Sequence, residues 1–245
     1  MATRWGPNIV RDGLVLYLDA ANTRSWPETA STWYDLSSGG HNATLINGPT
    51  FSGSWQGALV FDGSNDSAFI TNFSHTNFST FGAGTIEMWY KLSNNDSNDM
   101  LIDIHHPDGA SSPYAERDFF SIRANWSGNN TAAYYKDDSG TFSYLYFTSA
   151  VSGNAAVNSW NHIGYTVDIN ASTKKVLYEY GLQVNSSTDS LGAWGTDISQ
   201  IRIANGAMQW YPMAGYISVV RIYSKALTAT EMLQNYNAQK GRFGL

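Results

Sequence analysis

The most constraining feature of this sequence is the repeated alternation of short apolar runs with polar loops. Apolar and aromatic runs of about five to ten residues recur along the chain, and Gly, Asn, Ser and Asp fill the segments between them. One run alternates with period two, so that Ile86, Met88 and Tyr90 share one side of an extended chain while Glu87 and Trp89 share the other. This pattern predicts an all-β protein of about twelve strands. The predicted strands lie at 14–19, 58–62, 68–71, 85–92, 100–105, 118–124, 132–136, 141–148, 160–169, 174–183, 198–204 and 215–223.

A two-sheet sandwich is the architecture that accommodates these strands. The run at 14–18 is apolar on both faces whereas others are apolar on one, and a sandwich with covered sheets can hold both kinds. Aromatic residues make up 14% of the 245 residues and charged residues another 14%, compared with about 25% charged residues in an average soluble protein. Because the chain has no cysteine, its stability must come from its core without disulfides. We therefore expect a two-sheet antiparallel jelly-roll sandwich.

One segment near the end of the chain predicts a short C-terminal helix. Thr228 and Glu231 form a capping box, in which each side chain accepts a hydrogen bond from a free backbone N–H at the helix start. Apolar residues follow on one face, which we expect to pack on the sandwich. The sequence shows neither a charged run nor a Pro/Ser-rich hinge, so we expect one domain over 13–245, preceded by an N-terminal arm over 1–12.

The charge and hydropathy of the chain exclude some partners. The formal net charge is −6 and no Lys/Arg cluster reverses it locally, so nucleic acid is not an expected partner. No stretch approaches the roughly 18 consecutive apolar residues that span a bilayer, so no membrane insertion is expected. The opening Met-Ala-Thr-Arg-Trp-Gly-Pro lacks the apolar core of a secretion signal, which predicts synthesis in a cytoplasm.

Several segments resemble one known family. They are Gly-Leu-Val-Leu-Tyr-Leu-Asp-Ala-Ala-Asn at 13–22, Leu-Val-Phe-Asp-Gly-Ser-Asn-Asp at 59–66, Gly-Thr-Ile-Glu-Met-Trp at 84–89, Trp-Asn-His-Ile-Gly-Tyr at 160–165 and Gly-Tyr-Ile-Ser-Val-Val-Arg-Ile-Tyr at 215–223. In this order they are similar to the laminin G-like, concanavalin A-like jelly-roll modules. The resemblance covers nearly the whole chain and implies the concanavalin A-like sandwich fold.

The two ends of the chain narrow the resemblance. Gly-Pro-Asn-Ile-Val at 6–10 and Tyr-Asn-Ala-Gln-Lys-Gly-Arg-Phe at 236–243 are similar to stand-alone modules of this family among virion proteins of tailed phages. The resemblance implies a phage virion structural protein, such as a capsid decoration protein, head fibre or tail component. Its expected partners are other virion proteins and further copies of itself, and its expected location is the virion surface. The alternative is a carbohydrate-binding adhesin or carbohydrate-binding module without a virion role, located outside a cell or at its surface.

Two positions depart from the family pattern. The family usually has an Asn-Gly turn where this chain has Tyr180 and Gly181, and an acidic residue where it has Ser218. These differences leave the implied fold intact and weaken the transfer of any ligand site.

The carboxylates of the predicted strands do not favour catalysis. Glycoside hydrolases also use this fold, and their chemistry needs two carboxylates that project together. No predicted strand offers such a pair. The residue two positions after each acid is not a second acid: it is Trp after Glu87, His after Asp103 and Gly after Glu179. His105 and His106 suggest a metal ligand or a general base. Adjacent residues of a strand point to opposite faces, however, so the two side chains would not act together. The end of a strand before a turn is the alternative interpretation of this segment. We therefore expect a protein that is not an enzyme.

Calcium is a candidate cofactor. The resembled family often holds Ca²⁺ with carboxylate and carbonyl oxygens at loop edges. Asp62 and Asp66 lie in a tight Gly-containing turn, and Asp19 or Asp35 could join them from neighbouring loops. The same Asp-Gly-Ser-Asn sequence is also an ordinary turn that satisfies its own backbone, so both interpretations stay open.

Aromatic residues in the loops are candidates for sugar binding. A ring can stack on a pyranose while amide neighbours bond its hydroxyls, which would make a polysaccharide a partner. Each ring could equally fill the edge of the core or contact another subunit. The candidates are Trp126 with Asn125 and Asn129, Trp194, and Trp210 with Tyr211.

The N-terminal arm is the other candidate contact. Residues 2–10 precede the first predicted strand and contain Trp5 and Pro7, so they could dock on another virion protein. A short unstructured tail is the alternative.

Overall fold

The computed structural model shows two β-sheets and one α-helix in the residues that it describes. For His75, Asn125, Trp126 and Asn130 it describes the backbone alone. The described residues are 7–28, 31–54, 57–78, 82–94, 98–105, 120–126, 130–137, 139–146, 157–194, 198–206 and 209–245.

Sixteen strands occur in these ranges, with polar turns between most of them. Short 3₁₀ helices cover His75–Asn77 and Lys240–Arg242. The strands are β1 (Leu14–Asp19), β2 (Thr32–Trp33), β3 (Ala43–Ile46), β4 (Thr50–Ser52), β5 (Ala58–Asp62), β6 (Ser67–Ile70), β7 (Ala83–Leu92), β8 (Asp99–His105), β9 (Phe120–Trp126), β10 (Asn130–Lys136), β11 (Phe142–Tyr146), β12 (Asn161–Asp168), β13 (Lys175–Glu179), β14 (Leu182–Ser187), β15 (Gln200–Ile203) and β16 (Ala214–Tyr223).

The strands pair in two sheets of eight. The first sheet has the order β14-β13-β12-β7-β16-β5-β4, and β1 also pairs with the long strand β16. The second sheet has the order β11-β10-β9-β8-β15-β6-β3-β2. Neighbours in both orders run antiparallel where their register is described. The predicted all-β, two-sheet antiparallel jelly-roll sandwich is therefore confirmed.

The main core lies between the two sheets. Ile86 and Met88 on β7 face inward, as the period-two pattern predicted, and meet Ile102 and Ile104 from β8 of the opposite sheet within one buried cluster. Trp33 belongs to the same cluster and is fully buried. At about 25 cal/mol per Å² of apolar surface, such a core supplies the stability that disulfides supply in smaller domains.

The outer face of the first sheet is covered by the helix α1 (Ala229–Gln239). Thr228 and Glu231 form the predicted capping box at its N-terminus, so this prediction is confirmed. Trp89 points outward from β7 and stacks on Phe243 at 4.0 Å and on Tyr236 at 5.7 Å. The helix thus forms a small second core on the sheet. Among the described residues, no helix is long and apolar enough to span a membrane.

A buried polar network fastens α1 to the sheet. Glu87 accepts hydrogen bonds from His162 Nε2 and Arg221 at 2.9 Å each, and from Asn235 Nδ2 of α1 at 2.7 Å. Asn235 in turn accepts from the backbone N–H of Val10 at 2.7 Å. The end of the predicted N-terminal arm is therefore held against α1.

The strand count differs from the sequence prediction for two physical reasons. Strands β2, β3 and β4 have two to four residues each and contain Thr or Ser beside the apolar residues, so they form no recognisable apolar run. The predicted strand at 174–183 is a hairpin, because Tyr180 at φ 49° and Gly181 at φ 76° turn the chain between β13 and β14. Two successive positive φ angles are the geometry of a two-residue hairpin turn.

Candidate ligand-binding face of the second sheet

Strand β11 carries three aromatic rings on the outer face of the second sheet. Phe142, Tyr144 and Tyr146 occupy alternate positions of this edge strand and so share one side, while Ser143 and Leu145 between them are buried. Phe142 is 40% exposed and Tyr144 43% exposed. Both rings are far more exposed than large aromatic side chains of the core such as Trp33 and Tyr135, which are 0% exposed.

Strand β10 extends the row by one ring. Tyr134 lies opposite Tyr144 in the strand register, and its ring centroid is 5.6 Å from that of Phe142 and 6.5 Å from that of Tyr144. The rings of Tyr144 and Tyr146 are 4.7 Å apart. Burial and the neighbouring Tyr144 raise the pKa of Tyr146 to about 12, so its hydroxyl stays protonated at neutral pH and can donate a hydrogen bond.

Arg123 continues the row from β9 towards the middle of the sheet. It lies opposite Ala132 of β10 and is 5% exposed. Its guanidinium carbon lies 5.0 Å from the ring centroid of Tyr134 and 4.6 Å from that of Tyr211. The cation is therefore held between two aromatic rings, which attract it through their negative faces.

The loop between β15 and β16 positions Trp210 and Tyr211. The carbonyl of Tyr211 accepts a hydrogen bond from the N–H of Met100, and that of Trp210 accepts one from the N–H of Gly206, both at 2.9 Å. Gln209 and Tyr211 have φ angles of 58° and 64°, which cost a residue other than glycine about 1–3 kcal/mol. Such strain persists only where surrounding contacts enforce it, and it clusters at ligand sites.

Trp210 completes the surface that these elements form. It is 41% exposed, and its ring meets that of Tyr211 edge to face at 6.5 Å. The surface offers open rings for stacking, with hydroxyl and guanidinium donors beside them. We call this surface the aromatic face; it consists of Arg123, Tyr134, Phe142, Tyr144, Tyr146, Trp210 and Tyr211.

Trp194 does not lie on this face, contrary to its selection as a sugar-binding candidate. It is 3% exposed, and its ring packs against Phe78 at 4.4 Å and Phe120 at 5.5 Å in the main core. A ring enclosed in this way has no open face for a pyranose, so Trp194 is a core residue. Of the sequence-predicted rings, Trp210 and Tyr211 are the two that the structure places on the aromatic face.

The remaining candidates lie partly outside the described residues. Trp126 and Asn125 end strand β9, but their side chains are not described, and Asn129 falls outside the described ranges. Trp5 of the predicted arm also falls outside them, whereas Pro7 is exposed. These residues stay predictions.

The four aspartates selected for calcium are engaged with the protein itself. Asp62 and Asp66 accept hydrogen bonds from backbone N–H groups of their own turn. Asp19 pairs with Arg242 at 2.7 Å, and Asp35 accepts from N–H groups of its own loop. In the described part of the chain, no three acidic or histidine side chains group closely enough to hold a metal ion. As arranged here, the four carboxylates do not form a common calcium cage.

The acids considered for catalysis lie apart. Glu87 is fully buried beneath α1 on the outer face of the first sheet. Asp103 and His105 are buried on β8 of the second sheet, and His106 falls outside the described ranges. Burial alone would raise the pKa of Glu87, but the positive Arg221 and the hydrogen bond from His162 outweigh it and hold the pKa below its ordinary value. Glu87 therefore serves the fold as an ionised acceptor.

The sequence contained a signal for the aromatic face that a search of the loops misses. Phe142, Tyr144 and Tyr146 alternate with smaller or aliphatic residues inside a predicted strand, so period two already places three rings on one side. Which side faces the core follows only from the pairing of β10 and β11. The position of Arg123 between two rings depends on a loop some ninety residues later, and no local pattern indicates it.

The comparisons with known proteins point to a lectin-like sandwich. A family model described as the concanavalin A-like lectin/glucanases superfamily matches residues 62–232. No curated protein matches the sequence.

Solved structures resemble the chain over nearly its whole length. Domain 4 of the extracellular arabinanase AbnA from Geobacillus stearothermophilus, solved in complex with arabinotriose, has a TM-score of 0.67 and 14% identity over 93% of this chain and 100% of that one. The receptor-binding domain of botulinum neurotoxin type G has a TM-score of 0.63 and 17% identity over 93% of this chain and 52% of that one. The binding domain of Paraclostridial Mosquitocidal Protein 1 has a TM-score of 0.66 and 20% identity, with coverage of 93% and 52%. The chain spans about half the length of the two toxin domains, and at these identities the likeness concerns the fold.

Proposed function

Because this chain belongs to the concanavalin A-like lectin/glucanase superfamily, we propose that it is a non-catalytic carbohydrate-binding module that holds a glycan on the aromatic face. The observation that carries the proposal is the set of exposed rings of Phe142 and Tyr144 on β11 and of Trp210, with the less exposed rings of Tyr134 and Tyr211 on the same face. Two similar structures were solved in complex with saccharides, the arabinanase domain with arabinotriose and the ligand-binding domain of botulinum neurotoxin D with N-acetylneuraminic acid, which supports the ligand class.

The chemistry of the face suits a sugar better than a purely apolar ligand. The axial C–H groups of a pyranose can lie on the rings of Tyr144 and Trp210, which are each more than 40% exposed. The hydroxyl of Tyr146 and the guanidinium of Arg123 lie in the same row and can donate to sugar oxygens. The exposed rings lie on the outer face of a sheet, so we expect weak affinity for one sugar and stronger affinity for an oligosaccharide that covers several rings.

The distribution of acids supports a binding role without catalysis. Glycoside hydrolysis needs two carboxylates within roughly 5–9.5 Å of each other and of the scissile bond. By the alternation of the described strands, Asp103 is the single carboxylate on the outer face of the second sheet, and it is 5% exposed. A test for reducing-sugar release from any bound polysaccharide checks this part of the proposal.

A glycan-binding assay with matched variants tests the proposal. Wild-type protein is screened on a glycan array, and the best ligand is then titrated against Tyr144→Ala and Trp210→Ala. Each loss of a stacking ring should weaken binding by about tenfold, equivalent to about 1.4 kcal/mol. Tyr34→Ala is the control, because Tyr34 is 39% exposed beyond the far edge of the same sheet. Equal binding by all three variants, or no glycan bound by folded protein, would overturn the proposal.

Docking on another protein at the surface of a phage particle is the second candidate function, as the sequence resemblance implies. The supporting observation is that the open rings of Phe142 and Tyr144 lie on an edge strand, where a second chain could add a strand. Light scattering after size-exclusion chromatography tests self-association: an oligomer that Tyr144→Lys dissociates supports this candidate. A monomer at high concentration would limit the docking role to foreign virion proteins.

A further inference from the structure

Among the described residues, Arg123 is a buried cation that pairs with no acid. It is 5% exposed, and within the described part of the chain no hydrogen bond or ion pair reaches it; its Nε is enclosed and has no partner. In the described residues, the Nε atoms of Arg221 and Arg242 also have no partner, but each of these arginines pairs with a carboxylate. Arg221 pairs with Glu87 at 2.9 Å and Arg242 pairs with Asp19 at 2.7 Å.

The two tyrosines beside Arg123 stabilise its positive charge but accept no hydrogen bonds from its N–H groups through their ring faces. Tyr134 and Tyr211 lie against the guanidinium at 5.0 and 4.6 Å, and such contacts attract the charge through the ring faces. The five N–H donors lie in the guanidinium plane, and ring faces offer them no lone pairs. A buried charge without a counter-charge or hydrogen bonds is costly, so the arrangement favours an external acceptor at the terminal nitrogens of the guanidinium.

The surroundings add a second unpaired group and further positive charge. Ser121 lies two positions before Arg123 on the same side of β9 and is fully buried, and its hydroxyl has no hydrogen-bond partner among the described residues. Lys136 and Arg202 lie on the same outer face of the sheet, against the single carboxylate of Asp103. Among the described residues of this face, three cations therefore lie beside one carboxylate, on a chain whose net charge is −6.

We propose that Arg123 is the subsite for the carboxylate of an acidic sugar, so that the aromatic face selects glycans containing uronic or other sugar acids. This inference rests on the proposed carbohydrate-binding function and names its substrate class. The guanidinium of Arg123 donates two parallel N–H···O hydrogen bonds to the carboxylate, and neighbouring sugars lie on the exposed rings of Tyr144 and Trp210. Because a chain of net charge −6 has no general attraction for polyanions, a preference for acidic glycans would report this local site.

The test compares each acidic ligand with its uncharged methyl ester. Oligosaccharides of galacturonic acid, of mannuronic acid and of hyaluronan are each titrated by calorimetry as the free acid and as the carboxyl methyl ester. We expect at least one acid to bind about tenfold or more tightly than its ester, as for other charge-assisted fork contacts. Equal affinity of every acid and its ester, at measurable binding, would overturn this inference and leave the proposed function standing. Absence of binding for these ligands and for a neutral glycan array would overturn both.

Variants assign the preference to the residue. Arg123→Gln should lower the affinity for the acid to that for the ester, and Arg123→Lys, which keeps the charge and loses the fork, should recover only part of the difference. Arg24→Gln removes the same charge from an exposed loop and should change neither affinity. Near-ultraviolet circular dichroism checks that each variant is folded; where Arg123→Gln fails this check, Arg123→Lys decides. A folded Arg123 variant with full preference for the acid would overturn the proposal.

Discussion

At the scale of single residues, two tryptophans in loops have opposite environments. Trp194 is 3% exposed in the main core and Trp210 is 41% exposed on the aromatic face. The sequence makes both residues candidates for sugar binding for the same reason, since each is an aromatic residue in a predicted loop. Burial is a property of the packed fold, and the ring that covers Trp194 comes from Phe78, more than a hundred residues away in the chain.

This contrast predicts different effects of the same substitution. Trp194→Ala should lower the free energy of unfolding by about 3–5 kcal/mol, because it leaves a cavity among core rings. Trp210→Ala should lower it by less than about 1 kcal/mol, because it removes a largely exposed ring. Urea unfolding followed by fluorescence or circular dichroism measures both values. Similar losses for the two variants would contradict the assignment of Trp210 to an open binding surface.

At the scale of elements, the β13–β14 turn shows how a backbone requirement and a packing requirement coincide. Gly181 has φ 76°, and a Cβ built on it would lie 2.7 Å from the Cβ of Tyr236 on α1. Gly140, in the turn before β11, has φ 84° but no atom within 4 Å of such a Cβ. An alanine would therefore meet the same unfavourable φ angle at both positions, but only at position 181 would its Cβ collide with another side chain.

We predict that Gly181→Ala destabilises the protein more than Gly140→Ala. The backbone cost of a left-handed residue is about 1–2 kcal/mol in either turn, and Gly181→Ala adds the displacement of Tyr236 from the sheet. Thermal unfolding of both variants gives the comparison, and the difference isolates the contact between the hairpin and α1. Equal destabilisation would show that α1 adjusts freely around residue 181.

The elements also show what the sequence could predict. Thr228 and Glu231 alone predict the start of α1, because a capping box depends only on residues close in sequence. The pairing of β10 with β11, which turns Phe142 and Tyr144 outward, depends on contacts between strands and cannot be derived from either strand alone. Predictions made from local patterns therefore reached the fold class and the helix, while the composition of the aromatic face required the assembled sheet.

At the scale of the whole molecule, Asn235 connects the C-terminal helix and the segment before β1 to the buried carboxylate of Glu87. Asn235 of α1 donates to Glu87 on the central strand β7 and accepts from the N–H of Val10, so the segment before β1 and the C-terminal helix share an anchor. Glu87 is ionised there, held by Arg221 and His162. The outer face of the first sheet is thus closed by the termini, which leaves the second sheet as the side that presents open rings.

Anchors of this kind make the fold sensitive to acid. The pKa of Glu87 lies below its ordinary value of 4.5, and hydrogen bonds from Lys175, Ser187 and Ser143 lower the pKa of Asp189 from 3.8 to about 2. A carboxyl group with a lowered pKa stabilises the fold fully above its unfolded-state pKa, and this contribution is lost as the pH falls through the folded-state value. Burial raises the pKa of Asp66, which opposes the trend at one site.

We therefore predict that the free energy of unfolding falls steadily between about pH 5 and pH 2. Asp189→Asn should be less stable than the wild type at neutral pH, because the buried ammonium of Lys175 loses its counter-charge, and should lose less further stability below about pH 4. Urea unfolding of both proteins across this range measures the two slopes. If Asp189→Asn kept the full slope of the wild type, the acid sensitivity would belong to the other carboxyl groups with lowered pKa values, which are Glu87, Asp62, Asp137 and Glu231, and not to the Lys175 pair.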